Sequence, residues 1–247
     1  MTSEVHRSPE DKKLRTPNER YGARLNERSS SLALQEKVLA RERQNLDEAL
    51  TRVTLEGSAV RMAATIVAAR RRFVAGSGKS LAYATLLAVD LSAGLSLVTL
   101  IDNAVVRAVD ILSEVRTTDV LVAFSMRRYR RDTTHLCREF QAAGGTVLVI
   151  TDDSDAPAVR FADDALVVST ESASYADSPT AVAAICQLLT TLATASAKGA
   201  RRRLADRDRL ARALDLYEED LTPSTPLSRP SVGGPSSRGI ALSRRLV

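Results

Sequence analysis

The sequence predicts an α/β fold: a five-stranded parallel sheet flanked by helices, with further helices ahead of it. Two observations predict it. Between residues 71 and 171, short apolar runs alternate with longer segments of helical periodicity. One run, Asp119-Val-Leu-Val-Ala-Phe-Ser125, is apolar on both faces, as a central parallel strand must be.

Residues 1–31 are polar, with Pro9, Pro17 and a serine run at Ser29 to Ser31, and are expected to form a disordered arm. Residues 32–70 read as connecting helices. Leu34, Val38, Leu46, Leu50 and Val53 recur at three- and four-residue spacing, and Gly57 divides this helix from a second through Val60, Ala63, Ile66 and Val67. The α/β domain is expected over 71–217. Its strands are 72–76, 97–101, 119–125, 146–151 and 165–170. The helices between them are 79–93, one through Val106, Val109 and Leu112, then 132–143 and a short one at 157–163. Helices at 178–197 and 200–217 complete it. Residues 218–247 read as a disordered basic tail, with Pro223, Pro226, Pro230 and Pro235 among Arg229, Arg238, Arg244 and Arg245.

Composition excludes several classes. Cys137 and Cys186 are too few for a disulfide framework or a cysteine-based zinc site, and both read as buried thiols. With His6 and His135 the only histidines, no metal site is expected. The N-terminus lacks the apolar core of a secretory signal, and Asp90, Asp102 and Arg107 interrupt the most apolar stretch, so no membrane contact is expected. These features predict a cytoplasmic protein. The net charge of +5 is carried almost wholly by arginine and permits anionic partners.

Right-handed crossovers place every strand-to-helix loop at one sheet edge, where ligands bind. The loops there are 76–80, 125–132, 151–156 and 170–178. The first reads Gly76-Ser77-Gly78-Lys79-Ser80. It fails as a Walker motif, because Phe73 stands where the first glycine belongs, and as a dinucleotide fingerprint, because Leu81 replaces the third. What remains is a tight turn with free backbone N–H groups at a helix N-terminus, suited to one phosphate. The same residues also suit an ordinary glycine turn with a helix cap. The second loop places Arg127, Arg128, Arg130 and Arg131 around Tyr129, directly after Ser125. Arginine forks bind phosphate, and one or two of the four are expected to do so.

Four stretches together carry a family resemblance: Arg72-Phe-Val-Ala-Gly-Ser-Gly-Lys-Ser80, Asp119–Ser125 with Tyr129–Thr133, Gly145-Thr-Val-Leu-Val-Ile-Thr-Asp152, and Ala162-Asp163 before a strand ending at Thr170-Glu171. Residues 71–171 resemble a sugar isomerase (SIS) domain, of flavodoxin-like three-layer build, as in the sensor domain of MurR/RpiR-type transcriptional regulators. The resemblance implies a sugar phosphate, or a related anionic carbohydrate, held by Ser77, Ser80, Ser125 and Thr133. The usual second loop of the family is Ser-x-Ser-Gly and a hydroxyl residue; Arg127, Arg128 and Arg130 replace the last three here. The candidate ligand-binding set is therefore Gly76, Ser77, Gly78, Lys79, Ser80, Ser125, Arg127, Arg128, Tyr129, Arg131 and Thr133. The resemblance also implies a homodimer or higher homo-oligomer, and a helix-turn-helix domain whose apolar pattern residues 1–31 lack.

Three functions stay open at this point. One is a phosphosugar sensor without a cofactor. Another is an aldose–ketose phosphate isomerase, with Glu171 the one good candidate base. The third is a scaffold whose arginines fill its own pocket. DNA contact through the basic arm or tail is also open, although no reader domain is evident.

Overall fold

A computed structural model of the protein describes residues 16–26 and 30–218. The chain divides into two compact units, 1–207 and 208–247. The first carries the whole sheet. In the second, residues 208–213 are helical, and Leu214, Leu216 and Tyr217 are exposed.

The described chain begins with α1 (Pro17–Asn26), inside the segment expected to be a disordered arm. Its start is fixed by a reciprocal cap. The Thr16 N–H donates to Glu19 Oε2 at 2.7 Å, and the Glu19 N–H donates to Thr16 Oγ at 3.2 Å. Pro17 takes the first helical position, where its missing N–H costs nothing. The remainder of the arm, 1–15 and 27–29, lies outside the described residues, as does the tail from 219.

α2 (Ser31–Glu56) starts where the Ser30 hydroxyl accepts the Ala33 N–H. It buries Asn45, Ala49 and Val53, one per turn. Gly57, at φ +62°, ends it in the left-handed region and turns the chain into α3 (Ser58–Ala68). α3 buries Ala59, Met62, Ala63 and Ile66.

The sheet contains β1 (Arg71–Gly76), β2 (Val98–Ile101), β3 (Asp119–Ser125), β4 (Thr146–Thr151) and β5 (Asp164–Val167). All are parallel, in the order β2-β1-β3-β4-β5. β3 is buried along its whole length, as its apolar sequence requires. Alternate residues feed two cores. Val74, Val122, Phe124 and Ile150 pack with α2, α3, α4 (Lys79–Gly94) and α7 (Thr180–Ser196). Phe73, Leu121, Ala123 and Val149 pack on the opposite face with α6 (Arg131–Ala142) and a 3-10 turn at Pro157–Phe161. α5 (Ala108–Leu112) borders this second core through Ile111 and Leu112. α8 (Ala200–Ala213) follows α7.

The chain reverses its direction of winding between β1 and β3. The helix after β1 lies on one face and the helix after β3 on the other. In such sheets the two loops diverge at this switch point and leave a crevice at the carboxyl edge. β5 is shorter than expected. It ends at Val167; the Val168 N–H still bonds the Thr151 carbonyl, and beyond it the Thr170 and Glu171 carbonyls accept from the Ser178 N–H and the Asn45 side chain. The short helix expected at 157–163 is a 3-10 turn ending at Phe161, and the last helix stops at Ala213.

Among the described residues no single helix is long and apolar enough to cross a membrane. Cys137 and Cys186 are free and buried, and burial pushes both thiols up to about 12.

Candidate functional site

A pocket of about 350 Å³ opens at the switch point. The β1 loop contributes Ser77, Gly78, Lys79 and Ser80, and the β3 loop contributes Met126, Arg127, Arg128 and Arg130. Two glycines shape the first loop. A Cβ on Gly76 would lie 2.5 Å from the Ser80 carbonyl oxygen, so only glycine fits there. Gly78 sits at φ +62°, ψ −129°, which is glycine territory.

Tyr83, Thr170 and Asp177 form the inner side, and Pro17, Arg20 and Tyr175 the outer. Five cationic side chains and one carboxylate, Asp177, line this space. Among the described residues six buried side-chain atoms lack a hydrogen-bond partner, and three of them line this pocket: Arg20 Nε, the Tyr83 hydroxyl and Thr170 Oγ. A fourth, Ser125 Oγ, is one residue from the lining Met126. Buried polar atoms without partners are costly, so their concentration here marks a surface shaped for a polar ligand. Burial, with Asp177 adding to it, pushes the Tyr83 phenol up to about 12, so it stays a neutral donor.

The arginine loop is more self-contained than its sequence suggests. Arg127 Nε donates to Asp152 Oδ2 at 2.8 Å, and its backbone N–H donates to Oδ1 at 3.0 Å. It also lies 3.9 Å from Asp177. Tyr129 turns away from the pocket and hydrogen-bonds Asp152; burial and that carboxylate push the phenol up. Burial also raises the carboxyl of Asp152, against the pull of Arg127. Arg130 pairs with Asp132 at 3.1 Å. Asp132 further accepts the Thr133 N–H at 2.7 Å and a bond from Ser77. Burial raises its carboxyl, but Arg130, Thr133 and Ser77 outweigh burial and leave it below the usual range. The α6 N-terminus, where Thr133 was expected to meet phosphate, is thus occupied by the chain's own Asp132.

Of the expected site residues, Ser77, Gly78, Lys79, Ser80, Arg127 and Arg128 line the pocket together. Gly76, Ser125 and Thr133 are buried at its base, in the strand ends and the first turn of α6. Arg131 is exposed and lies outside the lining. Lys79 reaches across, and its ammonium donates to the Asp177 carbonyl. Glu171 lies elsewhere. It lines a smaller adjoining cavity of about 110 Å³ with Glu48, Arg52, Asp152 and Arg127, the last shared with the larger pocket, and pairs with Arg41 at 3.1 Å. Sequence reasoning missed Arg20, Tyr83, Thr170 and Asp177. The last two lie in the 170–178 segment that topology had already brought to this edge. Tyr83 faces the pocket from the second turn of α4.

Among the described residues no group of three or more His, Cys, Asp or Glu side chains could hold a metal ion.

A family model for the SIS domain matches residues 65–197, more than half of the chain. The chain belongs to the SIS domain family. No curated protein matches its sequence. Among solved structures, this SIS domain is similar to the sugar isomerase domain of an RpiR transcription factor from Sphaerobacter thermophilus. That match has 27% identity and a TM-score of 0.66, and covers 71% of this chain and 98% of the other. The Vibrio vulnificus NanR protein complexed with ManNAc-6P shares the fold at 14% identity and a TM-score of 0.61, covering 78% and 73%. A Methanococcus jannaschii protein, inferred to be a 3-hexulose-6-phosphate isomerase, shares it at 14% identity and a TM-score of 0.52, covering 76% and 99%.

Proposed function

We propose that the protein is a sugar-phosphate sensor, the effector-binding part of an RpiR-type transcriptional regulator. The observation that carries this is the pocket at the switch point: an excess of cationic side chains beside partnerless buried donors. A phosphate monoester supplies the missing negative charge, and sugar hydroxyls supply partners for Tyr83 and Thr170. Ser80 and the N–H groups at Gly78 and Lys79 take the phosphate, with Arg128 at the rim. The similarity to the RpiR domain, at 27% identity, supports the regulatory reading.

Sensing is favoured over isomerisation by the placement of Glu171. A base that moves a proton between carbons must reach the substrate, and Glu171 lines the smaller cavity with its carboxylate on Arg41. We also propose that the protein works as a homo-oligomer in the cytoplasm. Leu39 and Leu55 of α2 and Val60 of α3 are exposed apolar side chains that a second copy could cover, and the two free thiols suit a reducing compartment.

Isothermal titration of the full chain with glucose 6-phosphate, ManNAc-6P, arabinose 5-phosphate and inorganic phosphate tests the reading. At least one sugar phosphate is expected to bind more tightly than inorganic phosphate. Absence of binding across the panel refutes it, and turnover of any of these sugars returns the isomerase reading.

A further inference from the structure

The outer wall of the pocket comes from α1, which lies outside the region matched by the family, 65–197. Among its described side chains, two fasten it. The Tyr21 ring meets Tyr175 edge-on, with centroids 6.4 Å apart. Arg20 Nη1 donates to Asp177 Oδ1 at 2.7 Å. The Arg20 side chain is only 18% exposed, and its Nε is buried without an acceptor.

A guanidinium has two forks. In Arg20 the Nη1 side is spent on Asp177. The other edge, formed by Nε–H and the adjacent Nη2, matches two oxygens of one phosphate. Asp177 cannot neutralise its surroundings alone. It serves Arg20, lies 3.9 Å from Arg127, and its carbonyl holds the Lys79 ammonium. Arg127 has Asp152 as a second acid, and Arg130 has Asp132. Arg20 is the lining arginine with a buried, vacant donor.

We infer that Arg20 is a ligand-binding residue of this pocket, delivered by α1, and that its Nε edge takes an oxygen of the anionic group. This inference rests on the sugar-phosphate reading above. It makes α1 docking and ligand binding mutually reinforcing. A bound anion holds α1 against the rim, and a docked α1 tightens the anion by the same factor. Ligand occupancy is thereby transmitted to the chain segment ahead of α2.

The test uses the full chain, with Arg20→Ala, Arg20→Lys and Ser80→Ala variants. Each is titrated with glucose 6-phosphate, ManNAc-6P, arabinose 5-phosphate and inorganic phosphate. Tryptic cleavage after Arg20 in the wild type, with and without each compound, gives a second readout. For a compound that binds the wild type, Arg20→Ala is expected to weaken binding by about ten- to hundredfold, the scale of one charge-assisted hydrogen bond. Arg20→Lys should recover part of that loss, and the bound compound should slow cleavage. Affinity unchanged in Arg20→Ala, with Ser80→Ala weakened, overturns the role of Arg20 and leaves the sensor reading intact. A wild type that binds no compound overturns the sensor reading itself, and the role of Arg20 with it.

Discussion

Arg127 holds the carboxylate of Asp152 twice, through its side-chain Nε at 2.8 Å and its own backbone N–H at 3.0 Å. The Asp152 side chain is 4% exposed and that of Arg127 15%. The arginine that follows Ser125 most closely is therefore a positioning residue for its own loop. It fixes the turn from which Arg128 and Arg130 project.

Arg127→Met leaves the Asp152 carboxylate buried without its cation. Stability at pH 7.5 should fall by about 3 kcal/mol, the usual scale for breaking a buried pair from one side. Burial already holds the Asp152 carboxyl above its ordinary range, with Arg127 opposing that rise. A raised folded value means that the acid's contribution is lost as pH rises through it and returns on acidification. The deficit of the variant should therefore shrink between pH 7.5 and pH 5. Urea denaturation at the two pH values checks this.

Asp119 titrates with the opposite sign. Burial pushes its carboxyl up, but Arg71, at 2.6 Å, and the Arg116 N–H, at 2.8 Å, outweigh burial and leave it lowered. Its stabilisation is present above the unfolded value of about 3.9 and is lost as pH falls through the folded value. Unfolding free energy should drop steeply below about pH 4. Asp119→Asn should be less stable at pH 7 and show a flatter acid limb in the same titration.

Gly78→Ala should cost about 1–3 kcal/mol, because φ +62° with ψ −129° is closed to a side chain. Gly57→Ala, at φ +62° and ψ 15°, should cost about 1 kcal/mol, since the left-handed helical region admits other residues. Only the Gly78 variant should also weaken binding of a sugar phosphate. Thermal melts and titration of both variants separate the two effects.

Asn45 is fully buried in α2. Its Nδ2 donates to the Glu171 carbonyl at 2.6 Å, and its Oδ1 accepts the Ser169 hydroxyl at 3.0 Å. Asn45→Ala should cost about 1–2 kcal/mol by removing both hydrogen bonds to this segment. Amide hydrogen exchange over 168–178, the segment that carries Thr170 and Asp177, should accelerate before the rest of the sheet changes.

The sheet was legible because each strand obeys a local rule. β3 is apolar on both faces, Gly57 breaks the helices where φ turns positive, and Gly76 and Gly78 end β1 in a turn. The site was legible only in part. Ser77, Ser80, Arg127 and Arg128 could be placed from topology, since loops after parallel strands share one edge. Their charge balance could not. Asp152 and Asp132 look like ordinary loop acids until the fold sets them against Arg127 and Arg130. α1 carried a readable signal in Thr16, Pro17 and Glu19, but it sits in a polar segment with no apolar stripe. Its docking contacts, Tyr21 with Tyr175 and Arg20 with Asp177, join parts of the chain far apart in sequence.

α2 touches the rim of the pocket near its middle. Asn45 grips the 169–171 segment there, and Glu42 accepts the Ser178 hydroxyl at 2.5 Å. From Asn45 back to Ser31 the helix runs about 21 Å, at 1.5 Å per residue. A tilt of about 10° around that grip carries Ser31 through about 4 Å over this length. Any tilt about that grip would therefore be largest at Ser31, the end of α2 farthest from the rim.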